Sequence, residues 1–177
     1  MAANLQIRIE ARFAPEPLNW SWAIRGITRA LQLNFPGVLK MNESVDEDLC
    51  QRLVGQRLPS VRLSSTAGGI VDLAAPSTGR TVIYCYPRTS EPGKPAPTDW
   101  DLIPGARGCT PQACTFRDHY QELRALGAEV FGLSTQTTAY QAEMSSRLHL
   151  PFAVLSDDAM RFTNALRLPT FVSMECD

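Results

Sequence analysis

The chain has 177 residues, 44% hydrophobic and 20% charged, with a formal net charge of −1, enough for one domain with a real core. The near-neutral balance and an isoelectric point of about 6.1 give no basis for a nucleic-acid or membrane-surface partner. No apolar run approaches the length of a membrane span, and Met1 to Arg12 lack the apolar stretch and small-residue cleavage site of a secretory signal. The cysteines are odd in number: Cys50, Cys85, Cys109, Cys114 and Cys176. That fits a reducing compartment with one reactive pair better than a secreted disulfide scaffold. The expected location is cytoplasmic. Arg8, Arg12, Arg25 and Arg29 leave organelle targeting open, and Glu10 and Glu16 count against it.

Residues 1–39 read as an N-terminal extension of unknown role, ahead of a domain spanning 40–177. Leu5, Ile7 and Ile9 alternate with polar residues like a short strand, which Pro15 and Pro17 break. Trp20, Ala23, Ile24, Ile27 and Leu31 have helical spacing, and Asn34-Phe35-Pro36-Gly37 ends that pattern. A short helix is expected over Ser44–Leu53, with Ser44 and Glu47 as a capping box. Leu58–Leu63 and Ile70–Leu73 are expected to form a hairpin around Ala67-Gly68-Gly69. Thr81–Tyr86 is a β-prone run without Pro or Gly, suited to a buried central strand that Pro87 ends. A long loop with Pro92, Pro95, Pro97 and Pro104 then runs from Arg88 to Arg107.

A helix is predicted over Pro111–Leu126, where Phe116, Tyr120, Leu123 and Leu126 recur at helical spacing and Gly127 is the stop. Glu129–Leu133 is the next strand, Thr137–Leu148 a helix and Phe152–Leu155 a strand. Asp157 caps a last helix reaching about Leu166. This alternation implies an α/β layer structure with parallel pairings.

Cys109 falls where the loop enters the helix. Helix-start N–H groups and the cation of Arg107 are both expected to lower its pKa, and the thiolate is the reactive species. Thr110 and Pro111 suit a first helical turn. Such a thiolate is a nucleophile for peroxide oxygen, with sulfenic acid as first product. Cys114 can receive what Cys109 becomes. At ~100° per residue, positions five apart point about 140° away from each other. A disulfide, which needs Cα atoms within about 7 Å, therefore requires the first turn to unwind. Cys85 reads as a buried hydrophobe, and Cys50 and Cys176 as incidental. His119 reads as a helix-surface residue. No metal site is expected, because neither His119 nor His149 supplies a ligand pair beside the cysteines, and no cofactor is implied.

The run Gly108-Cys109-Thr110-x-x-Ala113-Cys114-x-Phe116-Arg117-Asp118 resembles the active-site segment of peroxiredoxins of the bacterioferritin-comigratory, or Q, type. Val82-Ile83-Tyr84-Cys85-Tyr86-Pro87 resembles the strand before that site. Gly132-Leu133-Ser134-Thr135 and Phe152-Ala153-Val154-Leu155-Ser156-Asp157 resemble later segments, in family order, so the likeness runs from about Leu58 to Phe171. It implies a thioredoxin-like fold: an N-terminal hairpin plus a mixed central sheet flanked by helices. It implies a thiol-dependent peroxidase acting on hydrogen peroxide or organic hydroperoxides. Cys109 would be peroxidatic and Cys114 resolving, joined in an intramolecular disulfide, with thioredoxin or a similar dithiol as reductant.

Three departures stand beside this likeness. Ala106 occupies the position where many members carry Thr or Ser. The strand pair, final helix and thiolate-stabilising Arg expected after Leu168-Pro169-Thr170-Phe171 are absent, and Arg167 is not their equivalent. Val172 to Asp177 matches nothing in the family, which reads as a C-terminal truncation. The alternative reading is therefore a weakly active or inactive redox-responsive binding module of the same fold.

Overall fold

The structure, a computed structural model, describes residues 8–11, 52–75, 79–94, 96–97, 100–102, 107–168 and 170. The predicted helix at Trp20–Leu33, most of that at Ser44–Leu53, Cys50, Ala106 and the segment from Phe171 to Asp177 lie outside those residues.

The described strands are β1 (Arg8–Ala11), β2 (Arg62–Ser65), β3 (Ile70–Asp72), β4 (Arg80–Cys85), β5 (Ala128–Ser134) and β6 (Val154–Ser156). They form one sheet in the order β1-β4-β5-β6-β2-β3. The centre is parallel, with Ile83 beside Phe131 and Leu133 beside Leu155. The flanks are antiparallel: β1 on β4, β2 on β6, and β2 on β3 as the expected hairpin. The sheet is thus mixed, as expected. The first hairpin strand starts later than predicted, because Leu58–Val61 find no strand partner and pairing begins at Arg62.

Four helices complete the described architecture: α1 (Cys109–Asp118), α2 (Tyr120–Ala125), α3 (Thr138–Arg147) and α4 (Arg161–Ala165). The single helix predicted over Pro111–Leu126 is two. His119 breaks it, with φ −100° and ψ 9°, and its ring Nδ1 lies 2.9 Å from the carbonyl of Thr115. A side chain competing for a helix carbonyl in this way loosens the regular ladder. Gly127, at φ 73°, ends α2 as expected. The last helix begins at Arg161, three residues later than an N-cap at Asp157 implied. The carboxylate of Asp157 still accepts the amides of Phe162 at 3.0 Å and Thr163 at 2.8 Å, so its capping chemistry is present. In the loop after β4, Trp100–Leu102 forms a 3₁₀ turn that buries Trp100.

Side chains on a strand alternate between faces, and both faces here are covered. Val82, Tyr84, Tyr86, Ala128, Val130 and Val154 pack with α1, α2 and α3 through Phe116, Leu123 and Met144. Ile83, Phe131, Leu133, Leu155 and Leu63 pack on the other face with Phe162 of α4 and Leu166 just after it. Burial on both sides explains why the central strands read as nearly continuous apolar runs.

Candidate active site

Cys109 is the first residue of α1 and is 2% exposed. The main-chain N–H of Arg88, just past β4, and the amide of Cys109 itself are directed at its sulfur. Burial nevertheless outweighs these two donors and pushes the thiol above its ordinary value. The expectation of a lowered pKa is therefore corrected: the helix-start donors are present, but desolvation of the thiolate is the larger effect. Arg107 does not contribute. It is solvent-exposed and grips Asp101 with two hydrogen bonds, of 2.8 and 2.7 Å.

The chain that delivers the Arg88 amide is fixed from β5 and α3. Ser134 Oγ donates to the Pro87 carbonyl at 3.2 Å. Thr89 N–H donates to Gln136 Oε1 at 2.9 Å, and Gln136 Nε2 donates back to the Thr89 carbonyl at 3.0 Å. Tyr140 Oη accepts from the Glu91 amide at 3.1 Å. Sequence reasoning assigned no role to Arg88, Gln136 or Tyr140. The only sequence signal was the position of Gln136 just after the Gly132-Leu133-Ser134-Thr135 segment.

Cys114 is half-buried and packs against the same cluster as Cys109. Arg117 of α1 and Arg147 of α3 lie within electrostatic reach of it. Each arginine's pKa is raised first by a carboxylate hydrogen bond, to Asp118 and Glu143 respectively, and further by Cys114. Both guanidinium groups are anchored, with Arg117 Nη1 donating to the Leu148 carbonyl at 3.0 Å and Arg147 Nε to Glu143 at 2.6 Å. Each guanidinium is thus paired with a carboxylate, and neither Arg117 nor Arg147 is among the groups that shift Cys109. Both cysteines are free thiols on one unbroken helical segment. Cys85 points to the opposite face of the sheet, where burial first and then the charge of Asp157 push its thiol up to about 12. It is half-buried there, packing against the cluster on the face away from the pair.

Residues 53–175 match the family model for Redoxin, so the likeness extends beyond Leu58 and Phe171 and, contrary to expectation, takes in Val172 to Glu175. The chain belongs to the redoxin family. This redoxin is 34% identical to the chloroplastic peroxiredoxin Q of Arabidopsis thaliana over 104 residues, which cover 59% of this chain and 41% of that protein. It is 32% identical to peroxiredoxin bcp1 of Schizosaccharomyces pombe over 117 residues, 66% of this chain and 51% of the relative. The chain thus matches about half the length of these curated relatives. Among solved structures it resembles a cysteine-to-serine variant of Xanthomonas campestris peroxiredoxin Q, with a TM-score of 0.53 and 23% identity over 66% of this chain and 67% of that one. It also resembles peroxidoxin BcpB from Mycobacterium tuberculosis, with a TM-score of 0.54 and 23% identity over 68% and 71% of the two chains. These likenesses bear out the thioredoxin-like fold and the Q-type resemblance.

Proposed function

We propose that this redoxin is a thiol-dependent peroxidase that reduces hydrogen peroxide or small organic hydroperoxides. The observation that carries the reading is Cys109 at the start of α1, faced by the Arg88 amide, with a second free thiol on the same helix and the same buried cluster. The Cys109 thiolate attacks one peroxide oxygen. An S–O bond forms, the O–O bond breaks, and the departing hydroxide or alkoxide takes up a proton, leaving Cys109 as sulfenic acid. Cys114 then attacks the oxidised sulfur, forming the S–S bond and releasing water. Because the two side chains diverge on an intact helix, the first turn of α1 unwinds between these steps. A dithiol of the thioredoxin type reduces the disulfide by exchange.

The test is one equivalent of hydrogen peroxide added to the reduced protein, followed by alkylation and mass analysis. A Cys109–Cys114 disulfide is expected, and its absence sinks the proposal. The burial and raised pKa of Cys109 favour a second reading, a redox-responsive module with little turnover. A disulfide that forms but does not turn over with a thioredoxin system selects that reading. The cytoplasmic location is likewise a proposal; fluorescence of a tagged full-length chain inside an organelle would overturn it.

A further inference from the structure

The parallel ladder between β4 and β5 ends at Cys85 and Leu133, and the Tyr86 N–H adds one more bond, to the Leu133 carbonyl at 3.0 Å. Pro87 then has no N–H to give, and its carbonyl takes the Ser134 hydroxyl instead. Two residues on, Thr89 is only 3% exposed, so both of its main-chain groups need partners. One side chain supplies both. Gln136 Oε1 accepts the Thr89 N–H at 2.9 Å, and Gln136 Nε2 donates to the Thr89 carbonyl at 3.0 Å. Two residues facing each other across an antiparallel ladder exchange this same pair of bonds; here a primary amide makes it. The Thr89 hydroxyl lies 3.3 Å from the same Oε1. Gln136 is itself held. Its carbonyl accepts the Ser156 hydroxyl at 2.8 Å and Nε2 of the fully buried Gln141 at 3.0 Å, and its N–H donates to Ser134 Oγ at 3.2 Å. Pro87 and Thr89 are thus both fixed to the end of β5 and the turn after it. The residue between them is Arg88, whose N–H faces the Cys109 sulfur.

We infer that Gln136 is a positioning residue for Cys109: by clamping both main-chain groups of Thr89, it aims the Arg88 N–H at the sulfur in the reduced, folded site. It acts through Thr89 and Arg88 and touches no reacting atom. Without the clamp the amide is free to turn away, and the thiolate loses one of the two donors that oppose its burial. The role belongs to the stage before α1 opens, since it needs Cys109 at the start of the intact helix. It deepens the peroxidase reading by naming what sets the acidity of the nucleophile, and that acidity is measurable without peroxide.

The experiment titrates the reduced full chain by ultraviolet thiolate absorbance, subtracting a Cys109→Ser counterpart in each background to isolate the one thiol. Gln136→Met keeps the length and bulk of the side chain and removes its amide. The Cys109 midpoint should rise by about one pH unit, and sulfenate formation at pH 7, trapped with dimedone, should slow about tenfold, as loss of one hydrogen bond to a charged group implies. Gln136→Ala carries the same expectation and replaces the methionine variant should that one not fold. A merely structural role would move the urea midpoint and leave the titration of the folded chain in place. A folded variant whose Cys109 midpoint stays within about 0.3 unit of the parent's therefore overturns the inference. If the midpoint shifts as expected but the parent chain forms no sulfenate with peroxide, the peroxidase reading fails and the positioning role of Gln136 stands.

Discussion

At Cys109 two opposing effects meet on one sulfur. Amide hydrogen bonds favour the thiolate, burial disfavours it, and burial is the larger. The sign of the pH dependence follows. Below a raised pKa the thiolate fraction is small and grows about tenfold per pH unit. The rate of sulfenate formation should therefore still climb as pH passes the ordinary thiol range, without a plateau near neutrality, as stopped-flow mixing with peroxide across pH would show. The same shift has a stability sign. A thiol whose folded pKa is raised contributes stability below its unfolded pKa and loses it as pH rises through the folded value. Cys85 obeys the same rule up to about 12. In the folded chain it should resist iodoacetamide at pH 8, and peptide mapping after brief labelling should find its label only once the protein is denatured.

At the scale of elements, the proposed disulfide requires α1 to open, whereas α4 is pinned at its start. The amides of α1 near Cys109 are secured by backbone bonds such as that from Gln112 N–H to the Gly108 carbonyl at 2.9 Å. Hydrogen exchange at Gln112 and Ala113 should speed up when the protein is oxidised, while exchange in α3 stays unchanged. Equal protection in both states would contradict the unwinding step. By contrast, α4 starts from two amides that end on the buried carboxylate of Asp157, which is 2% exposed. Asp157→Ala leaves both amides without an acceptor and should cost about 2–6 kcal/mol, at roughly 1–3 kcal/mol per orphaned buried donor, read as a lower urea midpoint at unchanged slope. The sequence predicted both helices. It did not show that His119 would interrupt the first, because that break depends on a ring nitrogen reaching the Thr115 carbonyl.

For the whole molecule, the sheet edge beside β4 is closed by β1, four residues from the N-terminal segment. An uncovered parallel edge offers unpaired amides and carbonyls to other chains. Deleting residues 1–11 should therefore lower the unfolding midpoint and produce concentration-dependent association in light scattering. A fully monomeric, equally stable deletion variant would show that β1 does not serve this purpose. The α/β alternation, the buried central strands, the hairpin and the position of Cys109 at a helix start all followed from local patterns, because apolar periodicity, turn residues and helix stops act over a few neighbours. The electrostatic setting of the cysteines did not. Arg107 is adjacent to the site in sequence yet is spent on Asp101. The Arg88 amide reaches Cys109 from twenty-one positions upstream because Ser134 and Gln136 hold its neighbours in place. Tyr84 packs on Phe116 of the cysteine helix only because β4 lies between β1 and β5 and turns that face toward α1. The sequence alone determined that Cys109 and Cys114 are the candidate residues and that one helix bears both. Tertiary structure decided the burial, the donors and the charges around each sulfur, since these arise between segments far apart in the chain and no local pattern encodes them.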